Sequence, residues 1–312
     1  GTIRVDYNQN FEPIFSPALS LVWTPNKKDF ARLSFSSALR NPTLADQYLN
    51  LDVGPAVLVG NLNGAQDLIT PSSVIDYFTS DNSSFDNGGS DIGRNLDLLD
   101  YFDIEPIRPE QVKTIEAGYR TTFKDKLYVD ASVYYSKYNH FIGYIIGLDC
   151  NIVEFIIPGF EEPIRDIEGI DVYRYAANSL NEVITTGASI GLQYYLNNIY
   201  SVSGNYSWNR LVKTNEDDPI IPAFNTPEHK FNIGINARGI NTRGKNKFGF
   251  GFNYKWVQQF VFEGSPQFTG IIPQYDVVDG QVNLYVEDLN TTFKIGGSNL
   301  LRNWHIETYG GP

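Results

Sequence analysis

The sequence predicts an all-β fold, a transmembrane antiparallel up-and-down β-barrel, of which this chain supplies about eleven strands. Apolar and polar residues alternate with a period of two along most of the 312 residues. The alternating segments run for about nine to twelve residues, the length that a tilted strand needs to cross the hydrocarbon layer. Short and long connections follow one another in turn, as the two ends of an up-and-down barrel require.

The composition favours strands over helices as membrane-spanning elements. Aromatic residues make up 14% of the chain, with 20 Tyr and 20 Phe, while 19% of the residues are charged. No segment approaches the roughly 18 consecutive apolar residues of a membrane helix, so a membrane-spanning form of this chain has to be a barrel. The single cysteine, Cys150, excludes an intramolecular disulfide.

Eleven strands follow from the alternation. The clearest places Phe248, Phe250 and Phe252 on one face and Gly249 and Gly251 on the other. A shift of one residue would exchange the two faces, so the pattern also predicts which side chains lie together. The predicted strands are Thr2–Tyr7, Pro17–Thr24, Phe30–Ser37, Val112–Phe123, Leu127–Phe141, Ile184–Leu196, Tyr200–Arg210, Lys230–Arg238, Asn246–Gln258, Asp276–Val286 and Thr291–Gly297.

The connections define two ends of the predicted barrel. The short ones are Thr24–Asp29, Lys124–Lys126, Asn197–Ile199, Gly239–Lys245 and Glu287–Asn290. The long ones are roughly Ala38–Gln111, Ile142–Val183, Leu211–His229 and Gln259–Tyr275. Eleven up-and-down strands cannot close on themselves, because the first and the last would run parallel. We therefore expect the first and last strands to remain unpaired with each other.

Polar side chains on one face of the strands form the candidate functional surface. Because the lumen of so wide a barrel is wet or plugged, this face either solvates the wall and contacts a plug, or touches substrate through a minority of its residues. The predicted lumen-facing residues are Arg32, Glu116, Arg120, Asp130, Gln193, Asn232, Asn236, Asn253, Lys255 and Asp279. Aromatic residues near strand ends predict interfacial girdles, namely Trp23, Tyr128 and Tyr200 on one side and Trp208, Phe231 and Trp256 on the other.

The sequence contains no catalytic motif, and we expect neither an enzyme, nor a bound metal, nor a cofactor. The three histidines lie at separate strand–loop boundaries. The longest connection is acidic, with twelve Asp and Glu against three Arg. Spaced carboxylates such as Asp81, Asp86 and Asp91 could bind calcium, but their spacing matches no defined ion-binding loop, and a solvated acidic loop explains them as well.

Three segments resemble one known family. They are Phe35–Leu44 (FSSALRNPTL), Arg108–Arg120 (RPEQVKTIEAGYR) with the strand that follows it, and Gly296–Leu301 (GGSNLL). In this order they resemble the TonB-dependent outer-membrane receptors of bacteria. The resemblance implies a barrel of 22 strands closed by an N-terminal plug domain. Residues 1–312 would then be the C-terminal part of one barrel domain, strands 11 to 21, without the plug domain, the first half of the barrel or the closing strand.

The resemblance leaves two functions open. One is a TonB-dependent receptor of the bacterial cell outer membrane that imports a scarce nutrient, such as a siderophore, a glycan or a peptide, through the plugged barrel. The alternative is a receptor-like barrel that serves as a structural subunit of a larger outer-membrane complex. The implied partners are outer-membrane lipid and lipopolysaccharide, the protein's own plug domain and the inner-membrane TonB-type energy-coupling complex. A surface lipoprotein or a larger complex is a further partner left open, and no nucleic acid is expected.

Overall fold

The computed structural model describes residues 1–79, 96–156, 164–213, 220, 224–242, 244–263 and 269–307. These residues form three β-sheets and two short α-helices. The large sheet has eleven strands. In sheet order they are β1 (Thr2–Asn8), β2 (Phe11–Trp23), β3 (Phe30–Arg40), β8 (Glu110–Phe123), β9 (Leu127–Asn139), β12 (Val183–Tyr195), β13 (Tyr200–Lys213), β14 (His229–Asn241), β15 (Lys247–Val257), β18 (Tyr275–Val286) and β19 (Thr291–Gly297).

The large sheet confirms the predicted fold class and all eleven predicted strands. Every neighbouring pair is antiparallel, and β1 and β19 are its two edges rather than partners of each other. The one large boundary difference is β2, which begins at Phe11 instead of Pro17. Strand β3 pairs with β2 only from Ala18 onward, so the residues before it have no partner on that side. Pro13 and Pro17 fit there because a proline lacks the N–H that a second neighbour would need.

The turns at one end of the large sheet, here the turn end, are fixed by local geometry. Lys124 and Asp125 both have positive φ (49° and 53°), as the hairpin between β8 and β9 requires. In the turn before β3, Asn26 Oδ1 accepts the backbone N–H groups of Lys28 and Asp29 at 2.8 and 3.0 Å. These side-chain-to-backbone bonds substitute for strand pairing where the chain reverses.

The opposite end, the loop end, carries structure that the sequence did not predict. Two of the predicted long connections fold together into a six-stranded sheet, which also includes one parallel pair, β5 with β11. Its strands, in sheet order, are β4 (Asn50–Asp52), β5 (Val57–Val59), β11 (Ile164–Asn178), β10 (Ile142–Phe155), β6 (Ala65–Ile69) and β7 (Tyr101–Ile104). The helices are α1 (Leu44–Tyr48) and α2 (Pro71–Thr79), and a separate hairpin pairs β16 (Phe260–Glu263) with β17 (Thr269–Ile272).

Among the described residues, the buried apolar clusters lie in the six-stranded sheet and not in the large one. Helix α2 covers one face of the sheet, where Val74 and Tyr77 pack against Leu148 and Cys150. On the other face Leu68, Ile104 and Ala177 form a second cluster. The loop-end insertions therefore have an interior of the kind found in a small soluble domain.

The large sheet has no such interior, because its apolar face is uncovered. Leu33, Val133, Leu192, Ile235 and Phe252 lie on this face and are all exposed. Exposed apolar surface of this extent marks contact with lipid or with another protein. No helix within the described residues is long and apolar enough to cross a membrane.

Candidate functional site: the polar face of the large sheet

The pairing register places all ten predicted polar residues on one face of the large sheet. Paired residues in neighbouring strands point to the same side, and so do residues two apart in a strand. Arg32 pairs with Gly118, which lies two residues from both Glu116 and Arg120 in β8, so all four residues share one face. Arg120 pairs in turn with Asp130 of β9. The face then passes through Gly191 in β12 to the rest of the set. The later links are Gly191 with Asp130 and Asn205, Gln193 with Ser203, Asn232 with Asn205 and Lys255, Asn236 with Gly251, and Asn253 with Asp279.

The first part of this face, in β3, β8 and β9, is built from ion pairs. Arg32 pairs with Glu116 across neighbouring strands. Arg120 Nη2 lies 3.0 Å from Asp130 Oδ2, and its guanidinium carbon lies 5.7 and 5.9 Å from the ring centres of Phe30 and Tyr128. Each described charge of this group thus has an opposite charge beside it. The cross-strand pairs stabilise the register while leaving little net charge on the surface.

The second part, from β12 to β19, is rich in amides and glycines. Asn232 Nδ2 donates to Asn205 Oδ1 at 2.8 Å. Two adjoining depressions of about 590 and 250 Å³ share Ser203, Gly234 and Asn253 in their walls. Their floor is low because glycines replace side chains, which allows another polypeptide or a solute to approach the strand backbone. Asp279 is the only charged residue in either lining among the described residues, and its Oδ1 accepts the Asn299 N–H at 3.0 Å.

One polar-face contact fixes the packing of β9 on β12. The ring of Tyr134 lies over Gly187, its pairing partner, and its hydroxyl donates to Asn209 Oδ1 at 2.9 Å. A Cβ atom on Gly187 would overlap this ring and would lie 2.7 Å from the Trp208 carbonyl oxygen. Glycine is therefore required here, because the ring occupies the space of a side chain.

Five of the six predicted girdle residues lie on the opposite, apolar face, at the two ends of the strands. Trp23 and Tyr200 are at the turn end, and the other three are at the loop end, where Phe231 stacks on Trp256 with ring centres 5.4 Å apart. Tyr128 departs from the prediction. It pairs with Gln193 on the polar face, and its hydroxyl lies 3.4 Å from Asp130 Oδ2. Its neighbours Leu127 and Val129 take the apolar side instead.

At the loop end, the sequence prediction missed a cluster that joins helix α1 to the six-stranded sheet. The guanidinium of Arg174 lies 3.6 Å from the ring centre of Tyr144, whose hydroxyl is 3.5 Å from the buried carboxylate of Asp46. Burial, and then the charge of Asp46, raise the pKa of the Tyr144 hydroxyl above its ordinary value. Asp46 comes from one long connection, and Tyr144 and Arg174 come from another, so the three residues meet only because the two connections fold together.

Within the described residues, the single cysteine and the carboxylates do not form a reactive or metal-binding site. Cys150 is buried in the six-stranded sheet, and this burial raises the pKa of its thiol, which disfavours the reactive thiolate. Within the part of the chain that the structure describes, no group of three or more His, Cys, Asp or Glu side chains could hold a metal ion. Asp81, Asp86 and Asp91 lie outside the described residues.

The chain matches one protein-family model, described as "TonB dependent receptor-like, beta-barrel", over residues 1–300. A search of curated proteins gives no match. Among solved structures, the chain is similar to the siderophore receptor PirA from Acinetobacter baumannii, with 13% identity and a TM-score of 0.55. That alignment covers 96% of this chain and 38% of PirA.

Two further solved structures have the same fold. The ferric enterobactin receptor PfeA from Pseudomonas aeruginosa, solved with enterobactin, has 14% identity and a TM-score of 0.55, over 96% of this chain and 36% of PfeA. The FrpB iron transporter from Neisseria meningitidis has 10% identity and a TM-score of 0.53, over 94% of this chain and 36% of FrpB. The chain therefore spans little more than a third of the length of these proteins.

Proposed function

Because the chain belongs to the TonB-dependent receptor β-barrel family, we propose that it forms part of the wall of a bacterial outer-membrane receptor that imports a scarce nutrient. The observation that carries the proposal is the division of the large sheet into two faces. One face is apolar and exposed, and the other carries the ten polar residues in register across β3 to β18. A wall between lipid and a wet or plugged lumen has this division.

In this proposal the ten polar residues face the lumen and the five apolar-face aromatic residues form the interfacial girdles. The ion-paired part, with Arg32, Glu116, Arg120 and Asp130, holds the wall in register. The amide and glycine part contacts the protein's own plug domain and the passing nutrient. Neutral side chains such as Asn232 and Asn253 can form hydrogen bonds to the plug or the nutrient that are readily broken, because no ion pair has to be separated. Energy for plug movement comes from the inner-membrane TonB-type complex.

The names of similar structures give the cargo classes to test first. PirA and PfeA are receptors for a siderophore and for ferric enterobactin, and FrpB is an iron transporter. Cells lacking the full-length protein, and the same cells complemented with it, would be supplied with labelled ferric siderophores, oligosaccharides or peptides. We expect the complemented cells to accumulate one of these classes, and to stop when a protonophore removes the inner-membrane potential.

A pair of adjacent substitutions tests the role of the two faces. Asn253→Trp adds bulk to the polar-face depression and should reduce uptake while leaving the amount of protein in the outer membrane unchanged. Tyr254→Trp, on the apolar face and outside the lining of both depressions, should leave uptake as it was. Uptake of no cargo class, together with stable co-purification of other outer-membrane proteins, would contradict import and favour the structural-subunit function.

A further inference from the structure

A cavity of about 590 Å³ lies at the loop end beside the six-stranded sheet, and its lining includes Pro71 and Ser72 at the start of helix α2. It is separate from the depressions on the polar face of the large sheet and shares no lining residue with them. Its walls are mostly apolar and include Ile104, Ile145 and Ala177, which belong to the second buried cluster. This volume is within the range of cavities that hold small-molecule ligands.

The cavity has a rigid polar corner. The side chain of Asn178 accepts the Arg108 N–H at 2.6 Å and donates to the carbonyl oxygens of Arg108 and His140 at 2.9 and 2.7 Å. These three bonds join the ends of β9 and β11 to the segment before β8. A corner held in this way keeps hydrogen-bonding groups in place before any ligand arrives, which lowers the cost of binding.

The charged groups around the cavity do not favour an anion. Arg108 Nη2 lies 3.6 Å from Glu105 Oε2, and Asp103 Oδ1 accepts the Asp67 N–H at 3.0 Å. Burial, and then the charge of Arg108, lower the pKa of the His140 imidazole, which keeps it neutral at neutral pH. An anionic ligand would therefore find no unpaired positive charge in the described lining, would face the carboxylate of Asp103, and would lose its own hydration.

The mouth of the cavity leaves apolar side chains exposed. Leu180 is 78% and Ile146 43% exposed, although both belong to the lining. Protein interiors tolerate few voids larger than a water molecule, and apolar voids hold water poorly. From the paired charge of Arg108, the fixed polar corner and the mostly apolar walls, we propose that the cavity binds a mostly apolar small molecule that carries no negative charge and has one hydrogen-bonding end. This site is independent of nutrient import through the lumen.

Photolabelling of the full-length receptor in isolated outer membranes tests the proposal. The probe is 4-(hydroxymethyl)benzophenone, which is neutral and apolar and has one hydroxyl, and the labelled peptides are identified by mass spectrometry. We expect labels in residues 102–108, 140–146 and 177–180. Leu180→Trp changes an exposed side chain and blocks the mouth, and Ala177→Trp fills the wall, so both should abolish these labels. Ile75→Trp, on the exposed surface of α2 outside the lining, should keep them.

Two results would overturn the proposal. One is labelling that Leu180→Trp does not reduce, or that occurs only on the apolar face of the large sheet. The other is equal or stronger labelling of the cavity by 4-benzoylbenzoate, an anion of similar size, which would contradict the exclusion of negatively charged ligands. Because labelling requires no transport, a failure of the import proposal would leave the labelling result unchanged. A failure of the labelling would likewise leave the import proposal unchanged.

Discussion

At the residue scale, single polar side chains set where strands end and which face each residue takes. Asn26 satisfies two turn N–H groups, and Asn197 does the same for Ile199 and Tyr200, at 2.8 Å each. The period of two in the sequence predicted the shared face of all ten polar residues. The wrong prediction was that Tyr128 belongs to the aromatic girdle, which rested on its position near a strand end and on its aromatic side chain. Its place between Leu127 and Val129 already put it on the polar face.

Asp29 holds the turn between β2 and β3 against β8. Its carboxylate accepts hydrogen bonds from Thr121, Asn26 and Tyr119, which lower its pKa in that order of effect. A lowered carboxyl pKa adds stability above the ordinary value of 3.8 and loses it as the pH falls through the folded-state value. We expect Asp29→Ala to lower the heat-unfolding midpoint at pH 7, measured by gel shift, and the difference from wild type to vanish in strong acid.

A matched control for Asp29 is Asp125 in the neighbouring turn. Its carboxylate lies 2.7 Å from Lys28 Nζ, but both side chains are well exposed. Exposed ion pairs contribute little to stability, so Asp125→Asn should leave the unfolding midpoint nearly unchanged. An equal effect of the two substitutions would show that the Asp29 hydrogen bonds have no special role.

His140 gives the loop end a pH dependence. Because the pKa of its imidazole is lowered by burial and by Arg108, the unfolded chain takes up a proton at higher pH than the folded one. Stability should therefore fall as the pH decreases through the ordinary value of 6.5 and level off below the folded-state pKa. His140→Asn removes the titration and suits the positive φ of 53°. Thermal unfolding between about pH 7.5 and 5.5 should change less in this variant than in wild type.

At the element scale, the strands of the large sheet were predictable and those of the six-stranded sheet were not. In the large sheet one face is apolar and uncovered and the other is polar, so each strand shows the alternation. Strand β10 instead has apolar residues facing both α2 and the second buried cluster, with Ile145 on one side and Leu148 on the other. A strand buried on both faces loses the period of two. The parallel pairing of β5 with β11 joins residues more than 110 positions apart, which local patterns do not reveal.

The packing of Tyr134 on Gly187 is an element-scale contact, because it couples β9 to β12. Gly187→Val should destabilise the protein by about 1–3 kcal/mol, the usual cost of overpacking, since its side chain would overlap the ring. Gly191→Ala is the control, four residues along the same strand and on the same face. There the nearest atom to a new Cβ is the Asp130 carbonyl oxygen at 3.8 Å. Denaturant unfolding of both variants in detergent would compare them, and equal losses would exclude the ring contact as the cause.

At the scale of the whole molecule, the division into two faces predicts where a charge is tolerated. Ile235 lies near the middle of β14 on the apolar face, and the next residue, Asn236, lies on the polar face. Ile235→Arg should cost about 2–4 kcal/mol if the middle of the strand is at the bilayer midplane. Asn236→Arg should lower the free energy of unfolding only slightly, because the side chain at this position projects from the polar face. Unfolding of the full-length variants in lipid vesicles measures both losses of stability. A larger loss for Asn236→Arg than for Ile235→Arg would contradict the assignment of faces.

The six-stranded sheet also determines how other molecules recognise the loop end. It brings residues 50–69, 101–104, 142–155 and 164–178 into one packed unit, with α2 across one face. An antibody raised against the folded protein would therefore bind a surface made of segments far apart in sequence. Peptides copied from single loops would reproduce little of that surface. Immunogens intended to target this end of the molecule should present the folded unit rather than its separate loops.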